Sequence, residues 1–151
     1  MMNKGRRHLM TAAAALVVAP WPDADADAKP SEAAEAISRI VGGKPLNSGR
    51  IYIELAPLVE NGNSVSVKFG VQSPMTATDH VRAIHLVSEG NPLPQVLSCH
   101  FTVLSGKAEV LTRVRLAESQ RVWAIAELSD GSFWRTHADT VVTLSACTEM
   151  I

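Results

Sequence analysis

The chain closes on "VVTLSACTEMI", where a run of β-branched residues leads into Cys147, four residues before Ile151. A thiol so close to the end of the chain is hard to cover with further residues, so its sulfur is expected to be exposed. An exposed thiolate can attack or be modified. The local field works against a nucleophile, because Glu149 and the terminal carboxylate disfavour the thiolate relative to a free thiol of pKa about 8.5. Cys147 therefore suits a handle loaded by another enzyme better than a group that initiates chemistry.

Other residue types offer less. His80, His85, His100 and His137 show no close ligand pair such as H-x3-H, so no metal site is expected. Glu54, Glu60, Glu89 and Asp130 lie in or beside separate turns, the usual place for solvated acids. No G-x-S-x-G elbow, P-loop or H-E-x-x-H occurs, and neither catalytic residues nor a cofactor are expected. Arg113, Arg115 and Arg121 read as a cationic stripe on two neighbouring strands, a solvated face that an anion or a partner could use. Cys99, in "LPQVLSCHFTVL", falls mid-strand, and its face depends on a register the sequence does not fix. It is either a small buried hydrophobe or, in an oxidising compartment, the disulfide partner of Cys147.

The elements that must position these groups follow from patterning. Residues 1–28 have a basic start at Lys4, Arg6 and Arg7, an apolar stretch from Leu9 to Pro20, and small residues at Ala24, Ala26 and Ala28. This reads as a cleavable signal peptide, and Arg6-Arg7 followed by Leu9 points to the twin-arginine kind. The apolar stretch falls short of the about 20 residues that span a bilayer, so a soluble, exported and periplasmic chain is expected, with no membrane contact. Without residues 1–28 the chain keeps 11 basic and 12 acidic residues, a net charge of -1, which argues against nucleic acid.

Residues 29–50 read as a short helix and linker. Ser31 caps a run with apolar positions at Ala33, Ala36, Ile37 and Ile40, Gly42-Gly43 stops it, and "PLNSGR" is turn-rich. Residues 51–144 break into short runs rich in Val, Ile, Thr and aromatics: "IYIEL", "SVSVKFGV", "VRAIHLVS", "QVLSCHFTVL", "AEVLTRVRLA", "RVWAIAEL", "SFWRT" and "DTVVTLSA". Val65, Val67, Phe69 and Val71 share one face, as do Val122, Ala124, Ala126 and Leu128. Turn signals such as "ENGN", "EGNPLP" and "SDGS" separate the runs. The pattern predicts an all-β, immunoglobulin-like antiparallel β-sandwich with a short N-terminal helix, and residues 145–151 as an arm beyond it.

With strands and terminal cysteine in view, the chain resembles the SoxY family of bacterial sulfur oxidation. The residues that carry the resemblance are "APLVENGNSVSV", Ser73 to Met75, "NPLP" at Asn91 to Pro94, "TRVRLAESQRVWAIAELSDG" and the terminal "VVTLSAC", spread over residues 51–147. The resemblance implies a periplasmic carrier subunit, itself no enzyme, paired with a second β-sandwich subunit, SoxZ. It also implies transient contacts with the Sox enzymes SoxAX, SoxB and SoxCD, which load, oxidise and hydrolyse an intermediate of thiosulfate or a related compound held covalently on the cysteine. SoxZ lacks an export signal in that family, so the pair travels folded together, as a twin-arginine route allows.

The arm departs from the family pattern. Gly-Gly-Cys-Gly is replaced by Ser145, Ala146, Cys147 and Thr148, followed by Glu149, Met150 and Ile151. Glycine permits φ > 0 and close backbone approach, whereas Ser, Ala and Thr carry a Cβ that restricts both. Residues 145–151 still reach roughly 23 Å if extended. Two readings follow: a carrier that keeps its adduct on Cys147, or a paralogue that binds or assembles with SoxZ without covalent carriage. The retained cysteine favours the first.

Overall fold

The computed structural model describes residues 28–146, and within them helix α1 (Ala28–Val41) leads into nine strands. The apolar positions of α1 recur every three or four residues, which puts Ala33, Ala36, Ile37, Ile40 and Val41 on one face. That face packs on Val87, Trp123, Ile125 and Phe133, the outer surface of the larger sheet. Gly42 and Gly43, at φ 60° and 79°, end the helix in a conformation a side chain would resist.

The larger sheet runs in the order β1 (Leu46–Asn47), β9 (Phe133–Leu144), β8 (Gln120–Leu128), β5 (Val81–Ser88), β6 (Gln95–His100), with β3 (Leu58–Asn61) also pairing with β9. The smaller sheet is β2 (Ile51–Leu55), β4 (Val65–Val71) and β7 (Glu109–Val114). Period-two alternation puts Val65, Val67, Phe69 and Val71 of β4 inside, facing Ile84, Leu86, Val122, Ala124, Ala126 and Leu128. Phe69, Ile84 and Leu86 are fully buried, and each such side chain stabilises the sandwich by about 2 kcal/mol of transfer free energy.

The all-β sandwich with a short helix is as the pattern predicts, and the details differ in instructive places. β1 and β3 run parallel to β9, so the otherwise antiparallel fold carries two short parallel pairs. β1 lies inside the segment read as linker, and β3 takes in the first half of "ENGN", read as a turn; both are too short to show a period of their own. "SFWRT" and "DTVVTLSA" are one strand, β9. The run ending "HFTVL" leaves the sheet after His100, because Thr102 caps a 3-10 turn over Val103–Ser105 through a capping box with Ser105. No helix among the described residues is long and apolar enough to cross a membrane. The predicted signal peptide, apart from Ala28, lies outside the described residues.

Candidate functional site: the root of the C-terminal arm

β9 is the element that launches the arm, and it changes neighbours along its length. Its first part pairs with β8, from Phe133 opposite Glu127 to Thr140 opposite Gln120. There the buried Thr140 hydroxyl donates to the Ala56 carbonyl at 2.7 Å, and the Val141 N–H donates to the Pro57 carbonyl at 2.9 Å. The rest of the strand pairs with β3, Leu58 opposite Val141 and Asn61 opposite Leu144. On its other side the Val142 N–H donates to the Ser119 hydroxyl at 2.9 Å, a side-chain substitute for the β8 ladder that has ended.

At Leu144 and just beyond it, three backbone hydrogen bonds link the strand end to the turn at Gly62 and to Leu116. The Gly62 N–H donates to the Leu144 carbonyl (2.9 Å), the Leu116 N–H to the Gly62 carbonyl (2.9 Å), and the Ala146 N–H to the Leu116 carbonyl (3.4 Å). Ser145 is exposed and Ala146 half-buried. Leu58, Val141 and Leu144 present an exposed apolar surface beside this root. Of the expected arm residues, Ser145 and Ala146 are therefore placed, while Cys147 and Thr148 lie outside the described residues.

Cys99 is placed by register. It stands opposite Ile84 on β6, its side chain packs against the main core, and burial pushes its thiol pKa up. The Ile84 row continues through Ala126 to Trp134. Along β9, Trp134 to Leu144 is roughly 30 Å of strand, so Cys99 and the arm root stand at opposite ends of the sandwich.

The remaining candidates scatter. His85 accepts or donates at 2.8 Å with the Ser98 hydroxyl, and burial first, then the neighbouring His100, lower its pKa. His85 and His100 are cross-strand neighbours, ring centroids 6.3 Å apart, a proximity their chain spacing does not reveal. His80 contacts the Thr76 carbonyl and His137 packs on Trp123. Among the described residues no group of three His, Cys, Asp or Glu is placed to hold a metal ion. Glu54 pairs with Lys68, Glu89 accepts the Trp123 indole N–H at 2.7 Å, and Asp130 accepts the Ser132 N–H, so these acids do not converge.

The cationic stripe is corrected. β7 and β8 follow one another in sequence but lie in different sheets, because the Arg115–Ser119 connection crosses the sandwich. Arg113 donates to the Ser64 hydroxyl on the smaller sheet's side, while Arg121 forms a two-point pair with Asp139 on the larger sheet. Gly62 is the residue of this region that sequence reasoning missed. "NGN" signals a turn and gives no hint that two other segments close on it.

A family model for the sulfur oxidation protein SoxY matches residues 37–147. The chain belongs to the SoxY family. The match takes in the C-terminal end of α1, all nine strands and the position of Cys147, so it extends beyond residues 51–147, over which the sequence blocks spread. Among solved structures, the sulfur carrier protein SoxY from Chlorobium limicola f thiosulfatophilum aligns with a TM-score of 0.62 at 24% identity, over 76% of this chain and 99% of that one. A superoxide reductase (neelaredoxin) from Ignicoccus hospitalis aligns at TM-score 0.56 and 21% identity, over 62% of this chain and 80% of its own. The superoxide reductase from Nanoarchaeum equitans gives 0.53 at 14%, over 63% and 99%. These likenesses are of fold. No curated protein matches the chain.

Proposed function

We propose that this SoxY-family protein is a periplasmic carrier, without turnover of its own, that holds a sulfur intermediate covalently on Cys147. The observation that supports this reading most is that the family match reaches Cys147, three residues past the end of β9 in sequence and just after the exposed Ser145. Joining a cysteine thiolate to the sulfane sulfur of thiosulfate forms one S–S bond and releases two electrons. A carrier has nowhere to put them, so a separate oxidising enzyme must accept them. This division of labour fits a thiol whose acidic neighbours keep it from initiating chemistry.

The reading includes a heterodimer with a SoxZ-like sandwich. β6 and β7 end their sheets among the described residues, and Leu93, Leu104 and Leu111 are exposed on or beside them. Unpaired strand edges and exposed apolar side chains invite a second β-protein. Export by the Arg6-Arg7 signal completes it.

One isolation tests all three parts. The protein is purified from the periplasmic fraction of cells metabolising reduced sulfur compounds, and intact masses are measured. The expected result is a chain beginning near Asp27 or Lys29, accompanied by a second sandwich subunit. Its mass increment of sulfur or sulfonate should vanish on reduction and be absent from Cys147→Ser. An unmodified mass under these conditions sinks covalent carriage and leaves a non-covalent assembly subunit.

A further inference from the structure

Three bonds at the arm root join segments that are distant in sequence. Leu144 accepts from Gly62, Gly62 accepts from Leu116, and Leu116 accepts from Ala146. Gly62 sits where all three segments meet. A Cβ on it would stand 2.2 Å from the Leu116 carbonyl oxygen, 3.0 Å from the Ala146 nitrogen and 3.0 Å from Val142 Cγ1. The first distance is far inside contact, and the obstacle is backbone, which cannot swing aside as a side-chain tip can. Gly62 is absent from the glycines with positive φ, so space rather than conformation demands glycine here.

Resting on the reading of Cys147 as the attachment point, we propose that Gly62 and the Leu116 carbonyl form a seat for the arm, which makes Gly62 a positioning residue for Cys147. With the Ala146 N–H seated, the chain is tied to the sandwich as far as Ala146, and only one peptide unit, about 3.8 Å, separates the cysteine Cα from the last held one. With that bond open, the arm hinges at Leu144, and residues 145–147 carry the cysteine Cα roughly 10 Å outward. The Ala146 bond is the longest of the three, 3.4 Å against 2.9 Å for the others, so it is the first to yield. The seat thus gives an arm without glycines two lengths, a parked one and an extended one, where flexible glycines would give a continuum.

Two measurements on the mature protein, in the complex as isolated, test this. Amide exchange reads the seat directly: the Ala146 N–H is expected to exchange at least about fivefold more slowly than an unstructured amide, the factor that one backbone bond of about 1 kcal/mol supplies. The second is the rate at which Cys147 reacts with a polyethylene-glycol maleimide, with Cys99 as internal control. Ala146→Pro deletes the donor and leaves Gly62 untouched; it is expected to raise the Cys147 rate about fivefold while the Cys99 rate and the melting temperature stay unchanged. Gly62→Ala should act in the same direction, and if it fails to fold, Ala146→Pro and the exchange rate decide. An Ala146 amide exchanging at the unstructured rate, or a Cys147 rate indifferent to Ala146→Pro, overturns the seat. Neither readout needs a sulfur adduct, so a missing adduct with a protected Ala146 amide sinks the carrier reading and leaves the seat standing.

Discussion

Thr140→Val isolates the bond that fixes where β9 leaves β8. Thr140 is 3% exposed and donates from its hydroxyl to the Ala56 carbonyl at 2.7 Å. Valine has nearly the same shape, so packing is kept and only the donor is lost. A net hydrogen bond contributes about 1 kcal/mol, and stranding a partner in the interior raises the cost toward about 2 kcal/mol. For a folded region of this size, 1 kcal/mol moves the melting temperature by roughly 3–6 °C, so a drop of about 6 °C is expected. Circular dichroism gives the melt, and urea unfolding followed by tryptophan fluorescence gives the free energy. Exchange mass spectrometry should also show faster opening of Leu58–Asn61, since Ala56 and Pro57 are the points that tie the start of β3 to β9. A loss below about 0.3 kcal/mol, within the scatter of neutral surface changes, would refute the claim that this hydroxyl holds the crossing.

Two further outcomes follow from charge and burial. Tyr52, the protein's one tyrosine, has its pKa pushed up to about 12, by burial first and then by donating to the Glu109 carboxylate at 2.5 Å. Its tyrosinate absorbance should therefore appear two pH units later than in a free tyrosine of pKa about 10, and a midpoint near 10 in the folded protein contradicts this. Because the folded protein holds this proton more tightly than the unfolded chain, the associated stability is present below pH 10 and is lost between about pH 10 and 12. Glu109→Gln should bring the midpoint down only part of the way, since burial remains. Cys99 should be recovered as a free thiol in non-reducing peptide maps and should alkylate slowly, because burial raises its pKa and its strand row lies far from the arm root. A Cys99–Cys147 cross-link within one chain would show that geometry to be wrong.

The strands that carry the core were legible because they repeat. β4 and β8 alternate Val65, Val67, Phe69, Val71 and Val122, Ala124, Ala126, Leu128 without interruption, and every one of these eight is buried; Ile125, between them, is buried on the opposite face by α1. β1 and β3 were not legible, since two to four residues show no period and their parallel partner β9 lies some eighty residues away. Arg113 and Arg121 misled for a related reason: adjacency in sequence says nothing about which sheet the next strand joins. Cys147, the proposed attachment point, is singled out by residue type, position and family resemblance alone, since it lies outside the described residues. The seat at Gly62 could not be singled out in this way, because a glycine kept for close approach and one kept for a turn look alike until the tertiary contacts are known.

The crossing of β9 also decides how the molecule bears a pull. On the carrier reading proposed above, an enzyme that drew on the arm would apply tension to the C-terminal end of a strand paired with β8 up to Thr140, with β1 at its first two residues and with β3 from Val141 on. Ladder hydrogen bonds lie across the strand direction, so tension along β9 loads them together in shear instead of peeling them one by one. The backbone beyond Leu144, held by a single long bond at Ala146, gives first and absorbs the displacement. A tether arranged in this way can be tugged repeatedly at its tip while the sandwich that anchors it keeps its shape.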